Sequence, residues 1–554
     1  MAKFDEEKTK KRYEELLEKE AEDLSKILSD KYKIPYLDLS RITIDLDSLK
    51  ILPEEEARAG KMAIFQSVGK KLQIGILNPE LPKTKEVVDD LKQKLYTPQL
   101  FLISEISLNK ALSRYPEVPS FVEAASGIIG VSQKKLSELE EKVKDVPALK
   151  ELISKGISIK ESRKISEVLE IIIAGALALE ASDIHIEPSE KIVTLRFRMD
   201  GILQEVAFFT EDIYQFLNSR IKLLSELKLN IKDRSQDGRF TIREKDLDVE
   251  VRTSTLPGPY GESIVLRILH PRTIGLKFDD LGMEPEIMER MKHELSRPNG
   301  MILTTGPTGS GKTTTLYAFV KEVNEPGVKI VTIEDPIEYH LERVVQTQVD
   351  EAKGYDFSNG LRSIVRQDPD IILVGEIRDL PTAETAMHAA LTGHLVFSTL
   401  HTNDAAGTIP RLIDLGVKPN IIAPAINVAM AQRLVRKLCQ KCAKDDTATT
   451  EELKKIKDEM ALMPENKKPD LTNIKIKRPV GCPLCNQSGY KGRVGVFEVF
   501  FIDEKIEQLI LSDPSEGAIK EAAFKQGMAT LKQEGILKII RGVTTFEELE
   551  RIVG

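Results

Sequence analysis

Short apolar runs alternate with segments of helical periodicity over most of the chain. Four of these runs lie at 301–305, 330–333, 371–374 and 395–400. Their length and nearly continuous hydrophobicity predict strands buried on both faces, as in a parallel sheet that helices cover. Because helical segments separate the runs, the pattern predicts an open α/β sheet.

The remaining sequence divides into units with other patterns. Residues 5–30 place leucines at helical spacing among charges, which predicts a solvated amphipathic helix or, alternatively, a partner-binding helix. Asp200-Gly201 lies between two predicted strands and indicates a tight hairpin. We predict an N-terminal domain at 1–115, a linker at 116–160, a second N-terminal domain at 161–273 and a C-terminal domain at 274–554 with a cysteine-containing subdomain at about 436–495.

Composition limits where the chain works and what it binds. The 554 residues, 41% of them hydrophobic, are enough for several packed cores. The formal net charge of -8 disfavours a general electrostatic attraction to DNA or acidic membranes. No stretch is apolar enough to span a bilayer, and the first residues lack the apolar core of a signal peptide. We therefore expect a cytoplasmic protein, which a partner must recruit if it works at a membrane.

A glycine-rich loop follows the first of the four predicted strands. It comprises Gly306, Pro307, Thr308, Gly309, Ser310, Gly311, Lys312, Thr313 and Thr314. Glycines allow backbone N–H groups to turn toward phosphates, and the N-terminus of the next helix adds the positive end of its dipole. Lys312 is suited to the β- and γ-phosphates, and the Thr313 hydroxyl to Mg²⁺. The loop therefore predicts binding of a nucleoside triphosphate.

Polar residues follow the three other predicted strands. In an open α/β sheet, ligands bind at the carboxyl ends of strands, so Glu334, Glu376 and His401 should converge on the phosphates. We expect Glu334 to orient or deprotonate the attacking water and His401 to sense the γ-phosphate. Glu376 holds the Walker-B position as a magnesium ligand. Because Gly375 replaces the usual aspartate there, this contact would run through water.

Structural roles remain open for several residues near these strand ends. Asp335 and Asp404 are also suited to cap helix N-termini, and His401 could be a packed core histidine. The site interpretation is preferred because all of these residues follow an intact phosphate-binding loop.

The four cysteines form two short-spaced pairs. Cys439 and Cys442 make the first pair, Cys482 and Cys485 the second, and 39 residues separate the pairs. Two such pairs from separate loops are typical of a tetrahedral zinc site, whereas a redox function would account for one pair only. We predict structural Zn²⁺, because four thiolates leave no open coordination position for catalysis.

Several motifs together resemble those of a known family. Four sets of residues resemble motifs of the secretion ATPase superfamily. Residues 306–314 resemble its Walker A motif, 333–338 its Asp box, 366–370 with 375–379 its Walker B motif, and 392–405 its His box. The cysteine segment ending at 489–493 and the run at 535–547 narrow the resemblance to type IV pilus assembly and type II secretion ATPases. It covers roughly 160–554, with a weaker match over 30–115.

This resemblance implies a multidomain α/β fold. Its parts would be a RecA-like P-loop ATPase core, a PAS-like α/β second N-terminal domain, a small α/β N-terminal domain and a Cys₄ zinc subdomain. It also implies a homohexamer that hydrolyses ATP with Mg²⁺, bound between the second N-terminal domain and the core. The expected partners are an inner-membrane platform protein and cytoplasmic membrane-associated assembly proteins, which would place the chain at the inner face of the cytoplasmic membrane.

Arginines of two regions match the family pattern. Arg252 and Arg267 correspond to the arginines that reach the phosphates, a role that suits guanidinium groups on a mobile domain. Ordinary salt bridging on a strand face is the alternative. Arg362, Arg366 and Arg378 are secondary candidates for the pocket or the subunit interface.

Three other functions fit the sequence less well than this interpretation. Retraction ATPases of the superfamily lack the large N-terminal region and the four cysteines. The acidic charge and the absence of an aromatic-basic stretch disfavour a DNA translocase, so no specific nucleic acid is expected. A nucleotide-sensing adaptor would not need Glu334 and Glu376 together with two arginines. The Arg-Leu-Gly-type repeat that binds a cyclic dinucleotide in some members is not found before Tyr36, so no such ligand is predicted.

Overall fold

The protein is described here by a computed structural model. It describes residues 21–553 except 40–41, 43, 50, 69, 94–95, 116–127, 130–137, 140–141, 158–162, 245–246, 271–274, 464–467 and 470–473. Residues 21–32 are helical, while the remainder of the predicted N-terminal helix lies outside the described residues. Within these ranges, no helix combines the length and apolar character that crossing a bilayer requires. The chain divides into two compact units, Met1–Glu123 with Lys160–Ser166, and Ala124–Ile159 with Glu167–Gly554.

The first unit is a small α/β domain. Its elements are helices α1 (21–32), α2 (Leu46–Leu49), α3 (Glu54–Ala59), α4 (Pro82–Gln93) and α5 (Glu105–Leu112), and strands β1 (Met62–Val68), β2 (Lys71–Ile76) and β3 (Thr97–Leu102). Strand β2 is central, antiparallel to β1 and parallel to β3. Ile64, Ile74 and Leu108 are among the side chains of its apolar core. Because this unit has a hydrophobic core of its own, it can in principle fold as a separate domain.

The second unit begins with a seven-stranded sheet of order β4-β8-β9-β10-β5-β6-β7. Its strands are β4 (Ile128–Ile129), β5 (Asp183–Pro188), β6 (Val193–Met199), β7 (Ile202–Phe209), β8 (Gln236–Glu244), β9 (Leu247–Gly258) and β10 (Gly261–Leu269). Three helices accompany it: α6 (Val146–Ile157), α7 (Arg163–Ala178) from residue 167 onward, and α8 (Glu211–Leu224). Every strand pair is antiparallel except β4 with β8.

Two features of this sheet bear on the sequence predictions. The hairpin between β6 and β7 is confirmed, with Asp200 and Gly201 at φ 48° and 85°, the left-handed conformations that a tight hairpin turn requires. Helix α6 and strand β4 come from the predicted linker, yet α6 packs on β7 and β4 pairs with β8. The domain boundaries given above stay predictions.

A buried ion pair lies between α8 and β10. The Lys222 ammonium is 2.5 Å from Oε1 of Glu262, and both side chains are almost fully buried. Lys222 also donates to the backbone O of Ile231, and Asn218 Nδ2 donates to the other carboxylate oxygen of Glu262 at 3.0 Å. These donors compensate for the cost of removing the two charges from water.

The second sheet of this unit has the order β13-β12-β14-β15-β11-β16-β19. The remaining strands of the chain are β11 (Gly300–Thr305), β12 (Ile330–Glu334), β13 (Val344–Gln348), β14 (Ile371–Val374), β15 (Leu395–Leu400), β16 (Ile426–Leu438), β17 (Lys444–Thr447), β18 (Lys475–Arg478) and β19 (Tyr490–Phe501). All neighbours in this sheet are parallel except β16 and β19. The four predicted apolar runs are thus confirmed as parallel strands.

Helices cover both faces of this sheet. They are α9 (Pro285–Leu295), α10 (Lys312–Val323), α11 (Phe357–Val365), α12 (Leu380–Leu391), α13 (Thr408–Asp414) and α14 (Pro419–Ala425). Along β11, Met301 and Leu303 enter one apolar core while Ile302 enters the other. Successive residues of a strand point to opposite faces, so a strand covered on both sides needs apolar residues at every position.

The C-terminal part adds a smaller layer. Strands β17 and β18 form an antiparallel pair, with helices α15 (Thr450–Ala461), α18 (Leu531–Ile540) and α19 (Phe546–Val553). Helices α16 (Glu504–Ser512) and α17 (Glu516–Lys525) instead pack into a core of the large sheet. Ile456, Ile476 and Ile536 belong to a separate apolar cluster of this layer. The long pair β16–β19 connects this layer to the large sheet.

The ion pair of Lys222 and Glu262 gives a test of the first sheet's packing. Lys222→Met should destabilise this domain by about 3–5 kcal/mol, because the Glu262 charge remains buried without its partner. The double variant Lys222→Met/Glu262→Gln should recover most of that loss. Differential scanning calorimetry of the whole chain measures the stability loss and its recovery from the unfolding transition of this domain. Lys228→Met, an exposed lysine a few residues away, is the control, and a Lys222→Met chain as stable as the control would contradict the assignment.

Candidate nucleotide site and metal centre

The glycine-rich loop connects β11 to α10 at the carboxyl edge of the sheet. Residues 307–309 are exposed, whereas Gly306 is buried at φ 144°. A Cβ on Gly306 would lie 2.7 Å from both the Gln432 backbone O and the Ser310 hydroxyl, so no other residue fits there. The loop therefore has a fixed base against β16 and an accessible rim where backbone N–H groups can meet an anion.

Lys312 begins helix α10 and folds back over the loop. Its ammonium donates to the backbone oxygens of Gly306 at 2.8 Å and Pro307 at 3.3 Å. Burial lowers the pKa of Lys312, Glu376 raises it and Arg433 lowers it, and the net pKa is below the ordinary value. A bound anion would favour the charged form of this ammonium. The residue is thus suited to hold a phosphate.

Three side chains meet beside the loop at the ends of β14 and β15. Oε1 of Glu376 accepts a hydrogen bond from Arg378 at 2.5 Å, and its other oxygen lies 3.4 Å from Nε2 of His401. Leu400 at the end of β15 pairs with Thr305 at the end of β11, so His401 lies next to the start of the loop. The convergence of Glu376 and His401 on the phosphates stays a prediction, as do their individual roles. About half of the His401 side chain is exposed, so it is not a packed core histidine.

Glu334 ends strand β12 and is buried in a hydrogen-bond network. Its carboxylate accepts from the hydroxyls of Tyr317 and Thr332 and from Nε2 of Gln346, the last at 3.2 Å. Burial and the charge of Glu334 raise the pKa of Tyr317, so the phenol stays protonated and donates. These three hydrogen bonds hold the Glu334 carboxylate in one orientation.

The predicted arginines, Arg252 and Arg267, line a cleft between the loop after β12 and the seven-stranded sheet of β4 to β10, which is called the first sheet here. The cleft has a volume of about 640 Å³, and its lining includes Arg252, Arg267 and residues 336–340. Arg252 donates to the backbone O of Ile337 and to Glu338. Arg267 instead hydrogen-bonds Asp183, within its own sheet, at 3.0 Å. The structure thus brings Arg252 onto the Asp-box segment and leaves Arg267 facing the same cleft.

The secondary arginine candidates lie in different surroundings. Arg378 pairs with Glu376, as described above. Arg366 donates to the Ser363 hydroxyl at 3.2 Å at the end of α11, and Arg362 is exposed on the same helix. Of the three, Arg378 is the one that contacts a candidate catalytic carboxylate.

A polar pair in strand β16, Gln432 and Arg433, was not predicted from the sequence. Gln432 accepts from the Thr315 hydroxyl at 2.8 Å, which ties the first turn of α10 to the sheet. Arg433 donates to the backbone O of Asn403 at 2.7 Å and lies close to Gly306. The available signal was the Gln-Arg pair inside an otherwise apolar run, because polar side chains buried in a strand need specific partners.

The four cysteines converge at the base of the β16–β19 pair. The Sγ atoms of Cys439 and Cys482 are 3.9 Å apart, those of Cys442 and Cys485 3.8 Å, and those of Cys482 and Cys485 3.7 Å. A tetrahedron with Zn–S bonds of about 2.3 Å places its sulfurs about 3.8 Å apart. Backbone N–H groups of Cys482 and Gly489 also donate to the Cys485 sulfur, as expected for a thiolate. This donor set fits a tetrahedral metal site.

Comparisons with known proteins identify a family and relatives of this chain. A family model described as "Type II/IV secretion system protein" matches residues 158–551. The chain is 35% identical to "Type IV pilus assembly ATPase PilB" of Myxococcus xanthus, covering 95% of this chain and 90% of that protein. It is 42% identical to "Type II secretion system protein E" of Aeromonas hydrophila, covering 70% and 75% respectively.

A solved structure supports the fold independently of these names. The ATPase DotB of Legionella pneumophila superposes with a TM-score of 0.50 at 22% identity, covering 69% of this chain and 94% of DotB. At this identity the likeness concerns the fold, which is the RecA-like arrangement that the sequence predicted. With the family match over residues 158–551 and relatives at 35–42% identity, the chain belongs to the type II/IV secretion system protein family of P-loop ATPases.

Proposed function

We propose that this ATPase drives assembly of a type IV pilus or a type II secretion pseudopilus. In this proposal it works in the cytoplasm as a homohexamer and acts on an inner-membrane platform protein with its membrane-associated assembly proteins. The observation that carries the ATPase part is the phosphate-binding loop, over which Lys312 folds, next to the contact of Glu376 with His401 at the ends of β14 and β15. The names of the relatives in Myxococcus xanthus and Aeromonas hydrophila support the two alternative fibres.

Each part of the site has a role in this proposal. Backbone N–H groups of the loop and the Lys312 ammonium hold the phosphates, and Arg252 and Arg267 reach the terminal phosphoryl group from the first sheet. Glu334 orients the attacking water once its carboxylate is free of part of its network. His401, next to Glu376, responds to the presence of the γ-phosphate.

The residues present fit a magnesium ion. Thr313 is exposed in the first turn of α10, and Glu376 adds a carboxylate after β14, at the same edge of the sheet. Oxygen donors of this kind are the ligands that Mg²⁺ prefers, with substrate phosphates completing its coordination. When bound, the ion would neutralise charge on the β- and γ-phosphate oxygens.

Zn²⁺ is the proposed occupant of the cysteine cluster. The sulfur separations match a closed tetrahedral site, and all four ligand atoms lie within 4.8 Å of one another. The metal would join the end of β16 to the start of β19 and so fix the smaller layer to the large sheet. A closed site of this type contributes folding energy and no chemistry.

The catalytic proposal predicts loss of turnover without loss of fold. Lys312→Ala and Glu376→Gln should each lower the ATPase rate at least about 100-fold, because each removes a charge that stabilises the transferring phosphoryl group or its metal. Phosphate release at saturating Mg·ATP measures the rate, and circular dichroism and size-exclusion chromatography measure the fold.

Matched surface variants give the controls for this experiment. Lys292→Ala and Glu289→Gln change the same residue types on helix α9 and should retain the wild-type rate. Variants Lys312→Ala and Glu376→Gln that hydrolyse ATP as fast as these controls would refute the assigned site.

The zinc proposal predicts about one Zn²⁺ per chain. Cys439→Ser and Cys482→Ser should lose the metal and expose the 436–495 region to proteolysis, because the two loops are no longer joined. Mass-spectrometric metal analysis with thiol titration before and after chelation checks both effects. A folded wild-type chain with four reactive thiols and no bound metal would exclude the site.

A further inference from the structure

Three arginines lie side by side on three neighbouring strands of the first sheet. Arg239 on β8 is directly opposite Arg252 on β9, and Arg252 is directly opposite Arg267 on β10. Directly opposite residues of antiparallel strands project from the same face, and like charges there destabilise the sheet. Neighbouring strands are about 4.8 Å apart, so the three side chains begin within about 10 Å of one another.

The charges of this row are balanced unevenly. Arg267 hydrogen-bonds the buried Asp183, its opposite residue on β5. Arg252 pairs with Glu250 and Glu338. Among the described residues, the Arg239 side chain has neither a hydrogen-bond partner nor an ion-pair partner. Carboxylates therefore offset the repulsion at Arg252 and Arg267, whereas the charge of Arg239 stays uncompensated.

Arg239 faces the same cleft as the other two arginines. The lining of the cleft contains all three together with the segment 336–340 that follows β12. Asp237, two residues earlier on β8, also lines the cleft, but the structure gives no ion pair between it and Arg239. An exposed guanidinium in such a position is suited to an external anion, and its planar set of donors matches phosphate oxygens.

We propose that Arg239 is a third residue that contacts the terminal phosphoryl group of ATP. This assignment rests on the proposed function, in which Arg252 and Arg267 reach the same group from the same face of the sheet. The anion lessens the repulsion within the row when it binds. The three arginines together therefore increase the affinity for a nucleotide with a γ-phosphate relative to one without it.

The test compares binding of a fluorescent, non-hydrolysable ATP analogue and the matching ADP analogue to the full chain. Arg239→Gln should weaken binding of the ATP analogue about tenfold, the effect of losing one charge-assisted hydrogen bond, and change ADP binding by less than about twofold. Arg239→Lys should lie between wild type and Arg239→Gln, because it keeps the charge and loses the planar fork.

The matched control is Arg243→Gln. Arg243 is on the same strand and the same face, but it is paired with Asp248 at 2.9 Å. This variant should bind both analogues like wild type. Because the row is repulsive, Arg239→Gln should unfold without nucleotide at the wild-type temperature or above it. An Arg239→Gln chain that unfolds at a lower temperature and binds both analogues weakly would mark a structural residue and overturn the proposal.

Two further outcomes separate this proposal from the proposed function. If wild type discriminates the two analogues and Arg239→Gln discriminates them equally well, the assignment of Arg239 fails while the ATPase proposal stands. If wild type binds neither analogue, the proposed function fails and the assignment of Arg239 fails with it.

Discussion

The parallel alignment of β11, β12, β14 and β15 is the constraint on which the site depends. Because the four strands run in one direction, the residues that follow them must emerge at one edge of the sheet. The phosphate-binding loop, Glu376 and His401 are separated by tens of residues in sequence and adjacent in space for this reason. Helices on both faces keep the strands buried, so polar groups can gather at this edge with a smaller desolvation cost than inside the sheet.

The same alignment explains how much could be predicted from sequence. Continuous apolar runs identify strands that helices cover on both faces. Where such strands are parallel, a polar residue that follows the run is a candidate for the site. The partners of Glu334 could not be found in this way. Tyr317 lies on a helix and Gln346 on the neighbouring strand β13, and neither position differs in pattern from ordinary packing. Hydrogen-bond partners depend on side-chain direction across elements, which the periodicity of one segment does not contain.

Charge placement shows a second limit of sequence reasoning. Arg252 and Arg267 were found through their motif, whereas Arg239 has no distinguishing neighbour in sequence. The strand register places it opposite Arg252, and register depends on hairpin geometry and on the burial of one face. In this protein three positive side chains occupy consecutive positions across the sheet, and the nearby carboxylates of Asp183, Glu250 and Glu338 keep the fold tolerant of them.

The pair β16–β19 connects the two ligand sites within one rigid element. Gln432 and Arg433 of β16 contact the first turn of α10 and the segment after β15, and the same strand ends next to Cys439. At this same end of the pair, the backbone N–H of Gly492 in β19 donates to Oδ2 of Asp200, in the turn between β6 and β7, at 3.0 Å. The same strand therefore runs from the cysteine cluster to the base of the phosphate-binding loop. In the proposed function, a metal at the cysteines would fix one end of the strand whose other residues support that loop.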